Sequence, residues 1–262
     1  MIQRDELQNY FLQKLQWEGM PDPAILEPDI GNDLQVPGSE TIHKVGFSVS
    51  ASIALFEKAV AEHCDAVVVH HGLRFPPADG SYQDPTHKRR LEFLHKHKLS
   101  LFGFHMLLDA HPILGNSAQL LSTLKISPKG PAGTSGILSW GMMGDATQPM
   151  TLEKIVERLK PYSSPHTYVY PFGPEKILRV AVVTGSGAPR NDAVEEIVQH
   201  GIHCYITGSP RESTRELLRE IKVHGIAAGH YHTETFGVKA LMEQLQKDMN
   251  VKTVFLDLPN EV

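Results

Sequence analysis

The chain has 262 residues, of which 41% are hydrophobic and 21% charged, with a formal net charge of −5 and a pI near 6.3. Such a composition leaves room for one large or two ordinary domains with a sizeable core, and it excludes a disordered chain. The acidic balance also argues against a protein that coats nucleic acid, which needs clustered Lys and Arg.

The only basic run, His87-Lys88-Arg89-Arg90, fits the first turn of a helix better than a binding patch. No apolar run approaches the ~20 residues of a membrane span. Met1-Ile2-Gln3-Arg4-Asp5 opens a charged amphipathic segment and not a signal peptide, so the expected location is the cytoplasm. The two cysteines, Cys64 and Cys204, lie far apart without metal-site spacing and are expected as small buried hydrophobes.

In chain order, Leu7, Tyr10, Phe11 and Leu15 recur at helical spacing over 5–16. The Pro- and Asp-rich stretch 21–33 is expected as loop. His43–Val49 alternates as a strand, and Ser50 or Ser52 caps the helix through Phe56 and Val60. Asp65–Val69 is β-branched, too short for a helix and apolar on both faces, as in a central parallel strand. A helix over 87–96, a strand over 99–104 and a helix capped by Asn116 or Ser117 follow.

From Pro128 to Gly144 the chain carries seven glycines and prolines in 17 residues, which predicts a change of domain. The same grammar then resumes. Thr151 caps a helix with Leu152, Ile155 and Leu159. Strands are expected over 168–170, 178–183, 203–207 and 225–228, with helices between them and the turn Gly185-Ser186-Gly187 after the second. A helix bearing Val238, Leu241 and Leu245 and a strand over 251–256 close the chain. The alternation implies an α/β fold of two domains with mixed sheets. Residues 1–127 and 225–262 are expected to form one domain, with 128–224 inserted as a smaller one.

Histidine is abundant, with 15 copies. Three polar clusters each stand just past a predicted buried strand: His70 and His71; His105 and Asp109; His230, His232 and Glu234. In open α/β sheets the carboxyl ends of the strands share the edge where ligands bind. Adjacent strand residues face opposite ways, so His70 and His71 converge only if the chain leaves the pleat at Gly72, or else they serve two ions side by side. His105/Asp109 and His230/Glu234 are i, i+4 pairs, which a helical turn places on one face. Imidazoles with carboxylates suit Zn, Fe, Mn, Co or Ni and not an all-oxygen calcium site.

At these residues the chain resembles the NIF-three-like family (NGG-one-interacting factor three), also known as GTP cyclohydrolase 1 type 2 homologues. The resemblance lies in Gly31-Asn32-Asp33-Leu34-Gln35-Val36, Val68-Val69-His70-His71-Gly72 and Phe104-His105-Met106-Leu107-Leu108-Asp109-Ala110. It continues in Val182-Val183-Thr184-Gly185-Ser186-Gly187, Tyr205-Ile206-Thr207-Gly208 and Gly229-His230-Tyr231-His232-Thr233-Glu234. It implies two α/β domains, a ring-shaped homohexamer and two divalent ions per chain. The implied ligands are His70, His71, Asp109, His230 and Glu234, with Glu234 bridging and His105 beside the ligands. Gly72 stands where the family commonly has Pro, and Ser209 and Ser213 stand where it carries an acidic residue and a His.

Two ions sharing a water suit hydrolysis, and the resemblance implies the GTP cyclohydrolase type, on a purine nucleotide or related phosphorylated heterocycle. His105 and His232 are the expected catalytic proton carriers. The alternative is a non-catalytic metal-binding scaffold or regulatory protein in a ring; nucleic-acid binding has little support from the charge. Thr184-Gly185-Ser186-Gly187-Ala188 lacks both a dinucleotide fingerprint and a P-loop Lys, and is expected as a plain strand-to-helix turn.

Overall fold

The computed structural model of the chain describes residues 1–20, 22, 27, 29–30, 32–74, 84–135 and 138–262. The expected loop over 21–33 lies in part outside the described residues, and Gly31 wholly so. The chain divides into two compact units, one of residues 1–108 and 238–258, the other of residues 109–237 and 259–262.

In chain order the first unit contains β1 (Ile2–Gln3), α1 (Arg4–Lys14), β2 (Leu34–Val36), β3 (Thr41–Ile42) and β4 (Lys44–Ser50). It continues with α2 (Ile53–Ala61), β5 (Ala66–His71), α3 (Pro85–His97) and β6 (Ser100–Gly103). The single turn α4 (Met106–Asp109) ends at the first residue of the second unit. There follow α5 (Asn116–Thr123), β7 (Ile126–Ser135), β8 (Leu138–Met150), α6 (Leu152–Leu159), β9 (Tyr168–Tyr170) and β10 (Ile177–Val183). Next come α7 (Val194–Gln199), β11 (Cys204–Thr207), α8 (Thr214–Glu220), β12 (His224–Ala227) and the short α9 (His230–Thr233). Helix α10 (Thr235–Asp248) and β13 (Lys252–Phe255) return the chain to the first unit.

In the first unit the sheet order is β13-β4-β5-β6-β2, with β13, β4, β5 and β6 parallel and β2 antiparallel at the edge. Ser52 starts α2 by accepting the Leu55 N–H at 3.1 Å, and Asp84 starts α3 by accepting that of Thr86 at 2.8 Å. Helices α2 and α3 bury Leu55, Phe56 and Leu94 in one cluster with Val67, Val69 and Leu101. Phe11 of α1 packs within 5.4 to 6.4 Å of the rings of Phe47, Phe102 and Phe104, in tilted or edge-to-face geometry. Strand β4 is buried throughout its interior and not alternately. Its small residues make this possible: Ser48 Oγ donates to the Leu256 carbonyl at 2.8 Å, and Gly46 leaves room for the Leu256 side chain.

The second unit holds a six-stranded mixed sheet in the order β7-β8-β10-β11-β12-β9. Its centre, β10-β11-β12, is parallel, flanked by antiparallel β8 and β9. Thr151 caps α6, which buries Leu152, Ile155 and Leu159 with Val180, Ile206 and Ile226.

Two expectations are corrected here. The stretch Pro128–Gly144 is no break but the heart of a long hairpin, of which residues 136–137 lie outside the described set. Strand β7 is an edge strand paired only with β8, and an edge tolerates prolines that an interior strand would reject; the ladder slips between Pro128 and Gly130. The exchange points also move, from 127/128 and 224/225 to 108/109 and 237/238. Ala118, Leu120 and Leu121 of α5 pack into the second unit's core, and β12 stays in its sheet by parallel pairing of Ile206 with Ile226.

No helix among the described residues is long and apolar enough to cross a membrane. Cys64 and Cys204 are both free and buried. Burial pushes their thiols up to about 11 and about 12 respectively, so both stay protonated at neutral pH. Iodoacetamide at pH 8 is therefore expected to label neither in the folded protein and both after denaturation, read by intact mass; rapid native labelling would contradict the burial.

Candidate functional site

Strand β5 overhangs its neighbour, since its pairing with β6 ends at Val69↔Gly103 while its pairing with β4 runs on to Ser50↔His71. The last two residues, His70 and His71, therefore stand at the open carboxyl edge. They remain within the strand, so of the two alternatives the chain does not leave the pleat here, and their ring centroids lie 4.7 Å apart. His105, just past β6, brings a third ring within 4.9 Å of His70 and 5.3 Å of His71. One ring nitrogen from each lies within 4.8 Å of the others, a grouping able to hold a metal ion.

Each of these rings is steered by a second contact. The fully buried His70 directs Nδ1 to the Phe104 carbonyl at 2.9 Å. A carbonyl only accepts, so Nδ1 carries the proton and Nε2 the lone pair, the tautomer a metal requires. His71 Nδ1 meets Ser50 Oγ at 2.9 Å. His105 Nδ1 pairs with Glu27 Oε1, while Glu27 Oε2 accepts the Met106 N–H at 3.1 Å and Asn32 Oδ1 accepts the His105 N–H at 2.9 Å. Burial by itself would raise the Glu27 carboxyl. The hydrogen bond and charge of His105, aided by Met106 and Asn32, outweigh that and hold it below the ordinary carboxylate range.

The second unit gathers the acidic candidates. Glu234 closes α9, so its i, i+4 partner His230 presents Nε2 to Glu234 Oε2 at 3.2 Å. A carboxylate oxygen of Asp109 lies within 4.8 Å of one of Glu234, and both side chains are buried. Two carboxylates so close and so dry call for positive charge beside them, and the surrounding imidazoles suit a divalent cation. Asp109 is held through Oδ1, which accepts from Asn116 Nδ2 at 2.7 Å and Thr184 Oγ1 at 3.3 Å.

Asn116 is a residue whose role the sequence did not reveal. It was expected as a possible helix cap, yet Gly115 occupies that position. The buried Asn116 amide instead spends its N–H on Asp109 and its oxygen on the Gly237 N–H at 2.6 Å. Glu27, Asn32 and Thr184 were likewise missed as supports, because each acts on a residue far away in sequence and no local spacing marks it. His232 joins none of the His/Asp/Glu groupings among the described residues; its ring stands edge-on to Tyr231.

The turn after β10 has a definite task. Gly185 adopts φ +60, and a Cβ there would lie 2.0 Å from Glu234 Oε1 and 3.3 Å from His230 Nε2. Only a bare backbone can approach the carboxylate so closely. The next helical turn begins at Asn191, so Gly185 does not itself open a helix.

The family model for Duf34/NIF3 (NGG1p interacting factor 3) matches residues 28–261. The chain belongs to this family. It is 35% identical over 260 residues to the GTP cyclohydrolase 1 type 2 homolog of Pyrococcus abyssi, covering 98% of this chain and 99% of the relative. With the protein of the same description from Escherichia coli K12 it shares 35% over 262 residues, 99% of each. Among solved structures it is similar to the protein ybgI, described as of unknown function, at 33% identity and TM-score 0.84 over 100% of both chains. TTHA1606 from Thermus thermophilus matches at 32% identity and TM-score 0.82, again over 100% of both.

Within the Duf34/NIF3 pattern, the two local departures are accommodated differently. Ser209 places its hydroxyl 3.2 Å from His230 Nδ1, with Ser186 Oγ at 3.4 Å, so hydroxyls steer this ring where an acidic residue was expected. Ser213 is exposed at the start of α8 and makes no side-chain cap. Gly72 makes room for Gln35, whose amide would sit 2.4 Å from a Cβ there. That amide clamps the Leu73 backbone, accepting its N–H at 2.8 Å and donating to its carbonyl at 3.1 Å.

Two substitutions test these supports. Gly185→Ala should displace Glu234 and weaken metal binding by about 10–100-fold, the scale for residues that orient ligands, with secondary structure by circular dichroism unchanged. Asn116→Ala strands the buried Gly237 N–H and should lower unfolding free energy by about 1–3 kcal/mol, read by denaturant titration. Wild-type metal affinity in the first variant would show that Glu234 is not a ligand.

Proposed function

We propose that the chain is a dinuclear metal-dependent hydrolase of the GTP cyclohydrolase type, acting on a purine nucleotide or related phosphorylated heterocycle. In this reading His70 and His71 of the first unit and Asp109, His230 and Glu234 of the second would hold two divalent ions. The observation that carries it is the pair of buried carboxylates, Asp109 and Glu234, within 4.8 Å of each other with His230 at 3.2 Å. The neutral His70 tautomer, fixed by the Phe104 carbonyl, supports the same chemistry.

Bound divalent cations of this kind act as Lewis acids and bring the pKa of water toward neutrality. The protein's own part is to place and move protons. Glu27 holds Nδ1 of His105, leaving Nε2 to exchange a proton with substrate or water. His232 is the second proton carrier in this reading, close in sequence to His230. Asn116 and Thr184 keep the Asp109 carboxylate oriented, and the Gly185 backbone walls off Glu234. Ring assembly into a homohexamer and a cytoplasmic setting complete the reading.

Elemental analysis of native protein should give two divalent ions per chain, drawn from Zn, Fe, Mn, Co and Ni. His71→Ala and Glu234→Ala should each bring the content below one, although they alter different units. Hydrolysis of GTP should fall by at least about 100-fold in both, since each removes a ligand that sets the cation's charge and geometry. Metal-replete wild type turning over nucleotide no faster than Glu234→Ala would leave only a binding scaffold.

A further inference from the structure

Beside the turn that follows β10, the second unit has an open cleft of about 80 Å³. Its lining includes Trp140, Ser186, Gly187, Pro189, Arg190 and Tyr205. The turn forming its floor is fixed in place: Tyr205 donates its hydroxyl to the Gly187 carbonyl at 2.8 Å. Gly187 lies so flush on the strand that a Cβ would meet Val183 at 2.4 Å. Ser186 joins the cleft to the acidic ligand set, because its hydroxyl also stands 3.4 Å from His230 Nδ1.

Two side chains give the cleft its chemistry. Trp140 is partly buried and offers an indole, the best stacking surface for a flat heterocycle. Arg190 is exposed, and among the described residues no carboxylate pairs with it. Its planar fork suits a phosphate in two-point contact. An aromatic face, a guanidinium and a hydroxyl lining one open cleft suit a flat ring bearing an anionic group.

We propose that this cleft is the binding site for the organic part of the substrate, with the heterocycle against Trp140 and its phosphate on Arg190. The assignment builds on the hydrolase reading by naming the residues that choose the substrate, but binding in the cleft requires no metal. Ser186 borders the cleft and also stands beside His230, which puts the cleft next to the candidate ligand His230.

The chain has two tryptophans, Trp17 and Trp140, so Trp17→Phe leaves Trp140 as the sole indole reporter. Titration of this variant with guanosine 5′-monophosphate, both chelator-treated and metal-loaded, should quench its emission in both forms. Arg190→Ala should weaken guanosine 5′-monophosphate binding by about tenfold or more and leave guanosine unaffected. Trp140→Leu should weaken both ligands by roughly tenfold, read by calorimetry, while Trp140→Phe restores most of the loss. Near-UV circular dichroism checks that each variant is folded.

Absence of quenching at millimolar nucleotide, or equal affinity in Arg190→Ala and wild type, overturns the assignment. If those results accompany normal metal-dependent hydrolysis, the cleft alone is wrong and the hydrolase reading stands. Cleft binding with the expected variant effects but no turnover leaves the cleft and removes the hydrolase.

Discussion

A polar group buried at the end of a strand is costly unless each of its hydrogen-bonding atoms has an engagement, and this requirement organises the whole candidate centre. His70 is wholly enclosed and gives its Nδ1 proton to the Phe104 carbonyl. Asp109 is held by Asn116 and Thr184, and His105 by Glu27. In each case one atom is fixed by the protein and the opposite one is aimed. Such fixing lowers the reorganisation needed when a cation binds, and it is why the supports matter nearly as much as the ligands.

The same demand explains the backbone around these side chains. The carboxyl edge of β10-β11-β12 carries Gly185, Ser209 and the start of α9 at three successive strand ends. Glu234 lies against the first of these, and the serines after β10 and β11 turn His230. In the first unit the edge of β4-β5-β6 does likewise: Ser50 ends one strand, His71 the next, and His105 follows the third. Both sheets thus apply the α/β rule that chemistry collects where parallel strands end. The antiparallel edge strands β2, β7 and β9, of which β7 bears prolines, carry none of the candidate ligands.

Departures from the family's pattern are absorbed by neighbours. Where an acidic residue was expected, Ser209 stands, and its hydroxyl with that of Ser186 lies beside His230 Nδ1 without adding negative charge. Where proline was expected after the twin histidines, glycine admits the Gln35 amide to the Leu73 backbone. Both exchanges keep the ligand residues in place while altering the charge and the stiffness of what surrounds them.

The sequence by itself determined the class of fold, the order of nearly all the strands and helices, and the candidate ligands. These are written locally, in apolar runs, caps and i, i+4 spacings that depend on a few residues at a time. It also led to the family, through motifs spread along the chain. Tertiary structure alone decided that Pro128–Gly144 is a hairpin and that β12 remains with the second sheet, because strand partners are chosen by surfaces distant in sequence. It alone decided that Asn116, Glu27 and Gly185 serve the centre. Their contacts span up to 121 residues of chain, and no periodicity in a sequence records which buried oxygen a distant donor will meet.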